Sequence, residues 1–222
     1  MIQTLDEYIS NSLPQWGEFS TNPNLTKKVC PDGSLLPYRG NTVVFLLDAE
    51  TKDQLQQLQD SLYEAAPDLL AERLQTDTFH MTLHDLVNGT PDQQDLEGRM
   101  WAAENRAREL LRRWRFEGPL RMQATWLFNM VHTSIVLGLA PADEQTWRQL
   151  DALYCAFETV VPLGYGLTPH ITMAYFRPGT YDQQQLQRLS AALRKVDLDV
   201  TLSGDHLVLQ NFSDMNHYTT IP

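Results

Sequence analysis

Apolar and polar positions along this chain switch repeatedly between a spacing near 3.6 and a spacing of two, which predicts helices interleaved with strands. Ile2, Leu5, Ile9 and Leu13 recur at helical spacing over residues 1–13, and Pro14 ends the run. Residues 14–40 are rich in Pro, Gly and Asn, with turn signals at Pro31-Asp32-Gly33 and at 37–40. Trp16, Phe19, Leu35, Leu36 and Tyr38 give this stretch apolar anchors, so it reads as an ordered wrap. Thr42–Leu47 is nearly all β-branched or apolar, as a strand covered on both faces should be. A helix over 52–65 follows, with Leu55, Leu58 and Leu62 on one face, and then a strand around His80. A long helix is predicted over 92–115 and a strand over 120–129. The second half continues with a strand from His132 to Leu139, a helix over 142–159, a strand around His170 and a helix over 181–196. Leu198–Leu202 and His206–Phe212 read as a terminal hairpin turning at Ser203-Gly204-Asp205.

The order strand, helix, strand, helix, strand occurs twice, and the spacing agrees. Leu58–Tyr63 (LQDSLY) answers Leu150–Tyr154 (LDALY) at nearly the same offset from a strand that reads Thr-x-His-x-Thr. This is an internal duplication of a βαβ-type unit. A pseudo-twofold axis between the copies can bring equivalent strands to one cleft.

Those strands are Thr78-Phe79-His80-Met81-Thr82-Leu83 and Thr168-Pro169-His170-Ile171-Thr172-Met173. Side chains alternate between the faces of a strand. Phe79, Met81 and Leu83 then build core, as do Ile171, Met173 and Tyr175, while His80, Thr82, His170 and Thr172 face the cleft. Two imidazoles on either side of a substrate can divide acid and base work near neutrality. A threonine two residues on stands roughly 6–7 Å further along the same face, where its hydroxyl can donate to a phosphoryl oxygen.

Composition narrows the partners. With 42% apolar residues, the chain can bury a core for one two-lobed domain or two small ones. The first ten residues are polar and acidic, without the apolar segment of a secretory leader, and no run is long enough to cross a bilayer. Cys30 and Cys155 form neither a disulfide framework nor a metal pattern, so a reducing, cytoplasmic setting is expected. A net charge of −11 argues against long nucleic acid as partner and leaves a short phosphate-bearing ligand open. The arginines 106, 108, 112, 113 and 115 read as a solvated helix face rather than a phosphate patch.

The paired His80-x-Thr82-x and His170-x-Thr172-x, one in each duplicated half, resemble the 2H phosphoesterase superfamily. That group includes 2′-5′ RNA ligase-like proteins and 2′,3′-cyclic nucleotide phosphodiesterases. The likeness covers about residues 41–212 and extends to the Pro-His-Ile-Thr-Met-Ala-Tyr context of the second copy. It implies an α+β, two-lobed, pseudo-twofold duplicated fold with antiparallel sheets flanking a central cleft and helices outside. The chain would then divide into an N-terminal helix and wrapping extension, 1–40, and a bilobal domain, 41–222, with lobes of about 41–130 and 131–222. The resemblance implies metal-independent hydrolysis or formation of cyclic or 2′-linked phosphoesters, with no cofactor. It gives His80 and His170 the acid and base roles and Thr82 and Thr172 the phosphate. Pro31-Asp32-Gly33-Ser34 and the segment 37–42 resemble a less characterised branch, in which the extension could act as a lid.

Further candidates lie around this core. His84 falls on the His80 face and could line the rim. The two are roughly 13 Å apart on a strand, too far to share a metal ion, and no metal is expected. Tyr175 falls on the apolar side, which favours core packing over base stacking. Arg177 stands at a strand end and could reach phosphate or solvent, while Tyr38 and Arg39 could cover the cleft. His132, His206 and His217 have no partner pattern and are expected to be structural or exposed. The expected substrate is a small cyclic or 2′-linked nucleotide phosphodiester, and the expected state is a monomer without membrane contact. A non-catalytic phospho-ligand or RNA-end binding module is the alternative from another class. An RNA ligase or processing enzyme is a third, opposed by the acidity.

Overall fold

The duplication read in the sequence is present in the backbone. The computed structural model describes every residue except 11 and 15. In chain order the elements are α1 (Asp6–Ser10), β1 (Phe19–Ser20), β2 (Arg39–Leu46), α2 (Ala49–Ala65), β3 (His80–Gly89), α3 (Leu96–Arg113), β4 (Leu120–Met130), β5 (Ser134–Pro141), α4 (Glu144–Glu158), β6 (His170–Tyr175), β7 (Thr180–Tyr181), α5 (Gln183–Ala192), β8 (Asp199–Leu202), β9 (Leu207–Asp214) and β10 (His217–Ile221). Eight strands form one curled sheet in the order β10-β9-β2-β3-β6-β5-β4-β8, and each neighbouring pair is antiparallel. β3 and β6 share one pairing, Met81 with Ile171, so two four-stranded halves meet at a single rung. This is the two-lobed α+β architecture with antiparallel sheets and outer helices. β1 and β7 form a separate ribbon that ties the N-terminal wrap to the second half.

Each half repeats the same devices. Asp48 and Asp143 cap α2 and α4, each accepting the N–H of the threonine three residues on, Thr51 and Thr146, at 2.7 Å. The helices then carry the chain away from the rung, about 25 Å in the case of α2, and a loop must bring it back. Tyr63 and Tyr154, the last residues of the repeated sequence, hold those loops. Their hydroxyls donate to the carbonyls of Ala71 and Tyr165, at 2.8 and 2.7 Å, shortly before each histidine strand. The repeated Leu-Tyr, Leu62-Tyr63 and Leu153-Tyr154, is thus a tether for the segment that delivers the histidine.

Several expectations are corrected. The predicted helix over 1–13 is helical only at 6–10 (residue 11 lies outside the described residues), because Ile2 pairs in parallel with Leu167. The strand expected from His132 starts at Ser134, since Val131 and His132 form a left-handed turn at φ 44° and 62° whose carbonyls accept from Asn22. β8 and β9 are not a hairpin. β8 pairs with β4 and β9 with β2, in opposite halves of the sheet. The chain crosses between them at Gly204, where a Cβ would come within 2.2 Å of the Phe116 ring. β9 instead turns into β10, a strand the pattern did not predict. Two of the arginines of α3 are spent on local pairs, Arg108 with Glu104 and Arg113 with Glu109, as on a solvated face.

Gln59 of α2, 1% exposed, joins the halves: its amide donates to the carbonyls of Leu74 and Met173 at 3.0 and 3.1 Å. Q59L should strand both buried acceptors and lower unfolding free energy by about 2–3 kcal/mol, read by urea denaturation against wild type.

Candidate active site

His80 and His170 are the first residues of β3 and β6. Because Met81 pairs with Ile171 in antiparallel sense, His80 stands across from Thr172 and Thr82 across from His170. Opposed side chains on such a pair stand about 5 Å apart at Cβ, and diagonal ones roughly 7–8 Å. The imidazoles therefore occupy one diagonal of a small quadrilateral and the hydroxyls the other. Met81 and Ile171 are fully buried beneath it, and all four polar side chains line a cavity of about 460 Å³.

The two-residue alternation then breaks at the same place in each copy. Against β2, Val43 pairs with His84 and Val44 with Thr82, leaving Leu83 as an extra residue. Against β5, Ile135 pairs with Ala174 and Val136 with Thr172, leaving Met173 as an extra residue. A bulge one residue beyond each threonine swaps the faces that follow. His84 is thereby turned into the wall: its ring is 1% exposed, packs on Tyr154 and Phe157, and donates from Nε2 to Glu158 at 3.0 Å. It borders the cavity as an anchor for α4, not as the rim residue that simple alternation placed beside His80. Asp85 and Tyr175, five residues after each histidine, rejoin the cavity face instead. Tyr175 thus lines the cavity while still packing on the core, with its hydroxyl on Met215 Sδ at 3.1 Å.

Both imidazoles are held alike. His80 Nδ1 lies 2.7 Å from the Thr78 carbonyl oxygen and His170 Nδ1 2.6 Å from that of Thr168. A carbonyl can only accept, so each Nδ1 carries hydrogen and each neutral ring keeps its lone pair on Nε2. Burial pushes both rings towards the neutral form. His80 falls to about 4, lowered by desolvation first, then by repulsion from His170 and Lys52, against the carbonyl bond and Asp85. His170 is lowered by desolvation alone, against the Thr168 carbonyl and Asp85. The Tyr218 ring stands edge-on to His80 at 5.1 Å and adds to that desolvation.

The remaining candidates lie elsewhere. Tyr38 is buried behind the cavity lining, stacked on Phe212, with its hydroxyl on Asn88 Oδ1 at 2.6 Å. Arg39 pairs with Glu97 at 2.5 Å beside a second depression and does not line the cavity of the two histidines. Arg177 is a structural clasp, its Nε donating to the Leu70 carbonyl at 2.8 Å and its backbone N–H to Leu69. Among the cavity residues that escaped the sequence reading are Lys28, Tyr218 and Asp85. Lys28 sits in the aperiodic wrap, Tyr218 lies on the unpredicted β10, and Asp85 was hidden by the bulge. The consecutive Leu83-His84 and Met173-Ala174, each followed by a polar residue at the same offset, were the available signal for Asp85.

No protein-family profile matches this chain, and no curated protein sequence does either. Solved structures do match. A conserved protein of unknown function from Agrobacterium tumefaciens str. C58 superposes with a TM-score of 0.65 at 18% identity, covering 97% of this chain and 96% of that one. Apo LigT of Escherichia coli gives 0.55 at 14% identity, over 84% of this chain and 96% of LigT. A structure described only as a phosphoesterase gives 0.55 at 16%, over 84% and 97%. The chain has the fold of the 2H phosphoesterases. Within the 2H phosphoesterase fold it carries additional chain relative to LigT, since the matched share falls from 97% to 84% between the Agrobacterium protein and LigT. No helix among the described residues is long and apolar enough to cross a membrane.

A histidine whose folded pKa is depressed favours the folded state above its unfolded value and loses that contribution as pH falls through the folded one. Wild type should therefore lose stability between pH 6.5 and about 4, and H80Q should show a shallower fall in Tm across that window. Equal slopes for the two proteins would contradict the desolvated state of His80.

Proposed function

We propose that the protein is a metal-independent phosphodiesterase of the 2H type, acting on a small cyclic or 2′-linked nucleotide phosphodiester. The observation that carries this is the cross-strand quadrilateral: two imidazoles with free Nε2 atoms on one diagonal, two hydroxyls on the other, around a space of phosphate size. LigT of Escherichia coli, whose fold this chain shares, has been solved with 3′-AMP and with ATP, which supports a nucleotide ligand here.

The roles follow from the fields around each ring. The repulsion between the two imidazoles is mutual, but Lys52 repels a proton on His80 alone, so the first proton taken up favours His170. His80 then acts as general base and His170 as general acid. For a 2′,3′-cyclic substrate, His80 takes a proton from water as its oxygen bonds to phosphorus. The opposite P–O bond breaks, and His170 gives its proton to the departing ribose oxygen. Thr82 and Thr172 donate to the nonbridging oxygens, whose charge grows in the transition state. A monoester and a free hydroxyl result.

H80A and H170A should each lower turnover of 2′,3′-cyclic AMP by about 10²–10⁴-fold, while EDTA leaves the wild-type rate unchanged. Full activity in either variant, or sensitivity to chelation, would reject the proposal. Binding should also be proton-linked. The empty pair is neutral near pH 6.5, and an anion between the rings favours the charged form, so 3′-AMP should be bound with uptake of up to about one proton. Calorimetry in two buffers of different ionisation enthalpy reads this directly, and H170A should abolish it.

A further inference from the structure

Lys28 lines the candidate active-site cavity and forms no ion pair among the described residues. The wrap fixes its backbone on both sides: its N–H donates to the Leu25 carbonyl and its carbonyl accepts from Leu36, each at 2.9 or 2.8 Å. Leu25 and Val29, on either side, are buried at 1% and 0% exposure. The side chain is thus aimed by anchored chain. Its Nζ lies 5.0 Å from the Tyr38 ring centre and 5.8 Å from that of Tyr175. Among the described residues the ammonium forms no ion pair and no hydrogen bond. Asp85 shares the cavity but stands too far away to pair with it.

A desolvated ammonium is costly, and two ring faces offset that only in part. It nonetheless stays charged: burial pulls its pKa down, but Tyr175, Asp85 and Tyr38 outweigh this and leave it raised. Nor does it lie at the histidines: its Nζ faces the Tyr175 ring, five residues along β6 from His170. A cation held in a cavity, apart from the histidines and lacking a partner, is arranged for an anion the ligand brings.

We infer that Lys28 forms a second anion subsite, and that the substrate class is a nucleotide carrying a further phosphate besides the diester that reacts. The inference rests on the proposal that the histidine pair takes the reacting phosphate. A compact lysine ammonium suits a terminal phosphate monoester, with Tyr38 and Tyr175 closing the cation's other sides.

The test compares adenosine 2′-monophosphate with adenosine 2′,5′-bisphosphate by calorimetry, because the two differ only by the second phosphate. Wild type should bind the bisphosphate about 10- to 100-fold more tightly, the worth of a charge-assisted contact. K28M and K28Q should bring the ratio of the two affinities close to one, and K28R should keep most of it. Equal affinities in wild type would overturn the inference without recourse to any variant. So would a K28M or K28Q protein that weakens both probes by the same factor, since Lys28 would then serve the reacting phosphate. Turnover plays no part in these measurements. A bisphosphate preference without catalysis would sink the proposed activity alone, and catalysis without the preference would sink only the subsite.

Discussion

A single rung of antiparallel pairing, Met81 with Ile171, decides what this molecule can do. Strand periodicity is two, so a slip of one residue at that rung would turn every imidazole and hydroxyl of one half away from the cleft. The register is secured from below, where both rung side chains are fully buried, and from the side, where Gln59 reaches from α2 to the bulged Met173 carbonyl. That carbonyl is available because the bulge leaves its residue without a ladder partner. The irregularity that re-aims Tyr175 thus also supplies the acceptor that locks the two halves together.

The matched bulges solve a packing conflict. A strand that kept strict alternation would have to present residue 84 or 174 to the cleft, and with it a gap in the core beneath α4. One extra residue lets Leu83-His84 and Met173-Ala174 both face protein, while the cleft receives Asp85 on one wall and Tyr175 on the other. Since the copies place a carboxylate and a phenol at equivalent positions, a symmetric frame holds an asymmetric site. Asp85 draws protons to both imidazoles, whereas Lys52 repels them from His80 alone.

Legibility followed periodicity. β2, β5, α2, α4 and both histidine strands were readable because each buries a regular face, and His80, Thr82, His170 and Thr172 stood on the regular part of theirs. Reading failed where a tertiary contact overrode the local pattern. Ile2 has helical spacing but pairs with Leu167, and the apparent hairpin at 198–212 was divided between two halves of the sheet. His84 and Tyr175 were assigned to the wrong faces because a bulge leaves no mark in composition. Lys28 lies in a segment without period, held by Leu25 and Val29, so nothing local distinguished it from an ordinary surface lysine.

The path of the chain has a cost during synthesis. β2 is bordered by β3 on one edge, but its other edge must wait for β9, which leaves the ribosome only after the entire second half has been made. Until then Val43 and Phe45 lie on an unpaired strand edge, open to mispairing with a neighbouring nascent chain. Assembly is completed by the most distant contact in the sheet, and such long loop closures are slow. Cells would be expected to shield this intermediate with chaperones for longer than the modest length of the polypeptide suggests.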